Sequence, residues 1–198
     1  MTDCDCSLEV RDAQQAKTLK VLLAINAIMF VAEMTVGIIG QSTALISDSM
    51  DMLADATVYG ISLYAVGRAA GKKLLAARLS GIGQILLGAG VLVDVLRRFI
   101  VGSQPVGELM MGVGLVALIA NVICLLLIAK HRDGEIHMRA SWIFSKNDVI
   151  ANSGVIVAGL LTLLFGTAWF DLIIGFVIAL VVTRGGVAIL RDVKAQTQ

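Results

Sequence analysis

Apolar residues fall into six blocks along the chain, at about 19–39, 43–66, 79–100, 106–129, 140–164 and 169–189. Each is long enough to cross a hydrocarbon core of ~30 Å as a helix, which needs about 20 residues. The interruptions are short and carry breaker residues. Gly37 and Gly40 close the first block, Gly102-Ser103-Gln104-Pro105 follows the third, and Phe165-Gly166-Thr167 divides the last two. Between the fourth and fifth lies a polar hinge from Lys130 to Arg139. Residues 1–18 are polar and mixed in charge with no apolar run, neither a signal peptide nor a span. The pattern predicts an all-α membrane protein with six transmembrane helices in one domain over 19–191, flanked by an N-terminal tail (1–18) and a short C-terminal tail (192–198).

Composition removes the main competing class. Of 198 residues, 58% are hydrophobic and 16% charged, with one proline and a mean hydropathy of +0.88. Soluble domains hold roughly 45–50% apolar and about 25% charged residues, so a soluble globule is excluded. A net charge of +1, with the basic residues in separated clusters, offers no continuous surface to nucleic acid. Those clusters instead set the orientation. Arg11, Lys17 and Lys20 precede the first span; Arg68, Lys72, Lys73 and Arg78 join the second and third; Lys130, Arg132 and Arg139 join the fourth and fifth; Arg191 and Lys194 follow the sixth. By the positive-inside rule these four segments and both termini are cytoplasmic in an inner (plasma) membrane, although Arg97 and Arg98 run against the pattern. Three cysteines, two of them the close pair Cys4/Cys6, make no disulfide framework and suit a reducing compartment. The segment Gly67 to Lys73 lacks the spacing and the Ser/Thr of a P-loop, and no HExxH or GxSxG is present, so no enzyme is read here.

Charges inside the spans carry the chemistry. Such residues are costly in a bilayer and mark function by default. The second span places Asp48, Asp51 and Asp55 on one helix face. At about 1.5 Å per residue from Thr43, Asp51 and Asp55 stand roughly 12–18 Å deep. The fifth span runs the other way and carries Asn147, Asp148 and Asn152, with Asp148 about 12 Å in from Ala140. No Lys or Arg is placed at that depth in the other spans. Three carboxylates at one depth in low dielectric need a cation or protons to neutralise them. Carboxylate, amide and hydroxyl oxygens bind hard or borderline divalent cations, and binding expels protons.

On these residues the chain resembles the cation diffusion facilitator family. That family's second span is similar to Gly-Ser-x-Ala-Leu-x-x-Asp-x-x-His-x-x-x-Asp, and Gly40 to Asp55 follows it with Asp51 in place of the histidine. In the fifth span the family's second His-x-x-x-Asp falls on Phe144 and Asp148; Phe144 cannot ligate, and the amide oxygen of Asn147 or Asn152 is the favoured fourth ligand, with the Ser145 hydroxyl also near, on the pathway. Phe170 to Gly175 is also similar to the family's start of span six. The resemblance implies a proton-coupled exporter of divalent metal, usually a homodimer, with the metal as substrate and no resident cofactor. Zinc is the first expectation, followed by cadmium, manganese, cobalt and iron. Family members commonly continue into a cytoplasmic ferredoxin-like domain; ending at Gln198, this chain reads as a transmembrane-only member.

Other polar residues have weaker assignments. Glu33 and Asp48 lie toward the outer face, as an exit path, proton carriers or a wet rim. Asn26 and Asn121 line a cavity or, by the plainer reading, make interhelical hydrogen bonds. Cys4 and Cys6, with His131 and His137 in the fourth connection, offer metal capture at the cytoplasmic mouth. Asp94 and Arg98 are spaced for an ion pair. The glycines at 81, 83, 88, 90, 112 and 114 predict close helix packing. Two other functions fit the same acids: an uncoupled cation channel, or a membrane metal sensor or scaffold that transports nothing.

Overall fold

The computed structural model describes residues 2–39, 43–101, 108–165 and 169–197. They form six helices: α1 (Thr2–Ile39), α2 (Thr43–Ala65), α3 (Ala70–Val101), α4 (Glu108–Ala129), α5 (Ile136–Phe165) and α6 (Trp169–Ala195). Each apolar block is thus one helix, and several helices overrun their blocks. The 38 residues of α1 continue through the segment read as a tail, for about 57 Å of rise. α3 starts ahead of Leu79 and takes in Lys72, Lys73 and Arg78, while α6 continues past Ile189. Hydropathy marks only the apolar part of a helix that goes on into water. By length and composition α1, α3 and α6 each hold a full membrane-crossing stretch among the described residues. The apolar side chains exposed on the outside of the bundle, such as Ile28, Leu86, Leu126 and Phe176, suit a lipid surround.

Short connections have local causes. α2 stops where Gly67 takes φ +67°, and the Arg68 amide donates to the Ala65 carbonyl at 3.1 Å. Ahead of α5, the Glu135 carbonyl accepts from the amides of Met138 (2.9 Å) and Arg139 (3.0 Å), which places Glu135 at the N-cap.

The most extensive packing is within two pairs, α1 with α2 and α3 with α6. α1, α2, α4 and α5 make one group, and the α3–α6 pair joins it chiefly through α5. Small residues set the α3–α6 seam. A Cβ at Gly186 would lie 2.7 Å from the Gly81 carbonyl oxygen, one at Gly175 would lie 2.8 Å from Val95, and one at Gly88 would collide with the Thr183 hydroxyl. Gly83 and Gly90 have open space around them, so of the α3 glycines singled out above only Gly81 and Gly88 serve packing. Gly112 and Gly114 lie outside the described side chains.

Among the described residues, the two buried apolar clusters lie at one end. Leu19, Leu22, Tyr59, Cys124, Ile128 and Met138 form one fully buried cluster, and Ala77, Ile136, Ala140, Ile189 and Val193 a second. Both belong to the half of the bundle that carries the basic connections. Ion pairs reinforce that end: Glu135 takes both Arg11 of α1 (2.8 Å) and Lys73 of α3, and Arg139 of α5 meets Asp192 of α6 at 3.1 Å. At the other end of α3, Asp94 pairs with Arg97, its i+3 neighbour, at 2.8 Å. The i+4 partner expected above, Arg98, has its side chain outside those described.

Candidate metal-binding site

Midway along α2, one helical turn separates Asp51 from Asp55, so both carboxyls leave the helix on the same side. Asp55 is buried, at 3% exposure, while Asp51, one turn nearer the loosely packed end, reaches the surface. α5 crosses at this level and brings Asp148 to the cavity that Asp55 lines, with Asp148 Oδ2 buried and without a hydrogen-bond partner. Carboxyls gathered in one low-dielectric cavity need protons or a cation to neutralise them.

The three acids line one cavity of about 50 Å3, room for an ion and a water or two. Its polar lining is completed by Asn152 of α5 and Asn121 of α4, and its apolar lining comes from Leu87 and Val91 of α3 and Val182 of α6, with Met52 and Ala151 on the acid-bearing helices. Asn121 is buried, and its Oδ1 has no hydrogen-bond partner. No three His, Cys, Asp or Glu side chains among the described residues are gathered tightly enough to ligate one ion directly. The arrangement is therefore a ring of oxygen donors around a small space, able to take a cation if the helices draw in or if the amides and water complete its shell.

The other residues singled out in the sequence separate clearly. Asn147 does not line the cavity; its amide packs on Gly185 of α6, where a Cβ would collide with it. Phe144, at the family's histidine position, is buried outside the cavity lining, and Ser145 is buried beside it with an unpartnered hydroxyl. Asn26 has a packing role: its Nδ2 donates to the Leu22 carbonyl at 3.0 Å and to Cys124 Sγ at 3.5 Å, holding α1 to α4. Asn121 departs from the packing role expected for it, since it faces the cavity. Glu33 is buried on α1 and is not part of the lining. Asp48, Cys4 and Cys6 have side chains outside those described.

The histidines are not brought together. His131 Nε2 lies 3.2 Å from the Thr18 hydroxyl, and burial with the nearby Lys130 charge lowers its pKa. His137 is fully buried, its Nδ1 is 3.9 Å from Glu135 Oε2, and burial above all pushes its pKa down to about 4. Burial would raise the Glu135 carboxyl, but the Lys73 hydrogen bond and the Lys73 and Arg11 charges outweigh it and hold it below its ordinary value.

Two features escaped the sequence reading. Tyr59, one turn beyond Asp55 on the same α2 face, is fully buried near both acids and Ser145, in the apolar cluster on the basic side of the cavity and outside its lining. Its i+4 spacing from Asp55 was the available signal. Lys146, two residues before Asp148, turns away from the acids and lies over the Trp142 ring, 5.5 Å from its centroid. It is not part of the cavity lining.

A family profile described as the cation efflux transmembrane domain matches residues 19–195. Among curated relatives, the cadmium, cobalt and zinc/H(+)-K(+) antiporter of Bacillus velezensis is 25% identical over 191 residues, covering 87% of this chain and 61% of its own. The metal cation efflux system protein CzcD of Cupriavidus metallidurans is 26% identical over 176 residues (83% and 56%), and the zinc transporter ZitB of Pectobacterium atrosepticum 26% over 196 residues (91% and 61%). This chain spans about three fifths of the length of these relatives. With nearly all of its helical bundle matched, the chain is a multi-pass membrane protein belonging to the cation efflux family.

Proposed function

We propose that this chain exports a divalent metal cation across the membrane in exchange for protons, with zinc as the principal cargo. The observation that carries the reading is the convergence of Asp51, Asp55 and Asp148, from two helices, on one small cavity in mid-bundle. Asp55 and Asp148 are the central ligands, Asp51 the ligand at the mouth, and the Asn152 and Asn121 amide oxygens complete the shell. The metal is cargo, and no resident cofactor is invoked.

Proton coupling follows from the ligands. A carboxyl pair in low dielectric holds either a proton or a cation, so loading metal releases protons and returning protons displace metal. The zinc/H(+)-K(+) antiporter among the relatives supports this, and the relatives' printed names support zinc, cadmium and cobalt. The all-oxygen donor set, with no imidazole, also admits manganese.

With the basic connections in the cytoplasm, the buried cluster of Leu22, Tyr59, Cys124 and Met138 closes the cytoplasmic side, and the exposed Asp51 faces out. That arrangement would suit the release side of an alternating-access cycle. We assign a homodimer as the working unit on the family resemblance.

The test is metal uptake into proteoliposomes carrying a pH-sensitive dye, comparing zinc, cadmium, cobalt, manganese and iron in wild type and Asp51→Ala. Zinc movement with opposite proton flux, abolished in the variant, is the expected result. Metal flux indifferent to a pH gradient would replace the exporter with a channel, and binding without flux would replace it with a sensor.

A further inference from the structure

Two cations stand inside apolar runs with no role in the cavity: Lys146 in α5 and Arg184 in α6. The antiparallel register of these helices is pinned at two levels. Arg139 meets Asp192 near the basic end, and further in Asn147 packs on Gly185. Lys146 and Arg184 are the chain neighbours of that second contact, so they stand at one level on adjacent helices, and Arg184 thereby comes close to the depth of Asp148, where no cation of another span was expected. Each lies two helical turns, about 10 Å, inward from the exposed Arg139 and Arg191 respectively. Both side chains are exposed, and no described carboxylate forms an ion pair with either.

A cation in contact with hydrocarbon is unfavourable, and two like charges side by side are more so. The Lys146 ammonium bends toward the basic end, over the ring of Trp142 one turn away. An anion seated between the two cations would neutralise both. At this place, against lipid and just inside the basic leaflet, the available anion is a phospholipid headgroup, and an indole beside it is the usual interfacial anchor.

We propose that the outer face of the α5–α6 pair at Lys146 and Arg184 binds an anionic phospholipid, with its phosphate between the two cations and Trp142, packed toward α1 and α4, beside the Lys146 end. The lipid stands outside the ion path and braces the helix that carries Asp148.

Trp142 reports occupancy directly, because the only other tryptophan is Trp169 at the opposite end of the bundle. In the full chain carrying Trp169→Phe, Trp142 fluorescence is titrated with brominated phosphatidylglycerol and brominated phosphatidylcholine in mixed vesicles. Quenching by the anionic lipid is expected at about tenfold lower mole fraction. Lys146→Gln/Arg184→Gln should bring the two lipids together, and Lys146→Arg/Arg184→Lys should keep the difference. Should the double variant fail to insert, Arg184→Gln alone should narrow the difference while leaving Lys146 over Trp142. Equal quenching by the two lipids overturns the proposal, as does a preference that survives loss of both cations. Absence of quenching by either lipid also overturns it, because that face is then covered by protein, such as a second copy of the chain.

Discussion

Asn152 and Asn147 are the same residue type on the same helix, a little over one turn apart, and the structure gives them opposite surroundings. Asn152 lines the cavity while Asn147 fills the space above Gly185. Asn152→Ala should therefore weaken zinc binding by about tenfold, as expected for loss of one neutral oxygen donor or of the contact that orients it. Asn147→Ala should leave affinity near wild type and lower thermal stability through a cavity at the α5–α6 crossing. Isothermal titration and melting of the two variants in detergent separate these outcomes. Equal losses of affinity would return Asn147 to the shell. The acids were legible in the sequence because ionised groups inside an apolar run stand out. The choice between two amides was not, since it depends on helix rotation and on a glycine in another helix.

Among the elements, the fourth connection and the start of α5 concentrate the charge that holds the closed end. His137 is buried beneath Glu135 with its pKa lowered to about 4. Its unfolded value is near 6.5, so below that pH the unfolded chain binds the proton that the folded chain refuses. Stability present above pH ~6.5 is lost as pH falls toward 4, with a slope of at most about 1.4 kcal/mol per unit. Glu135 acts in the same direction, because its lowered pKa makes its ion pairs with Arg11 and Lys73 weaken on acidification. Melting followed from pH 7.5 to 4.5 should show this decline, and His137→Gln should flatten it. A second prediction concerns the glycine seam. Gly186→Leu would drive a side chain into the Gly81 backbone, so α3 and α6 must separate, at a cost of about 1–3 kcal/mol or more. Gly83→Leu, placed in open space, should be tolerated. Sequence periodicity showed that glycines recur, but only the pairing of α3 with α6 tells which of them face a neighbour. In the same way, six helices were legible from hydropathy, while their true starts were not, because α1, α3 and α5 begin among polar residues outside the apolar blocks.

For the molecule as a whole, the half that carries the basic connections is packed tight and the other half holds an acid open to the surface, an asymmetry that no single helix encodes. It comes from two buried clusters drawn from all six helices. The cavity at their boundary has a charged lining and an apolar one that includes Leu87, Val91 and Val182. Such a vestibule acts as a filter on hydration: an ion that enters can keep water toward the aspartates but must give it up along the aliphatic side. Magnesium parts with its water reluctantly and demands six well-placed oxygens, whereas zinc accepts four ligands in looser company. Zinc uptake should therefore be unaffected by a thousandfold excess of magnesium, on the order expected when competition fails at dehydration rather than at charge. Replacing Val91 with Asn should let magnesium compete. On the export function proposed above, the aliphatic side of the chamber would select the cargo as much as the acidic side attracts it.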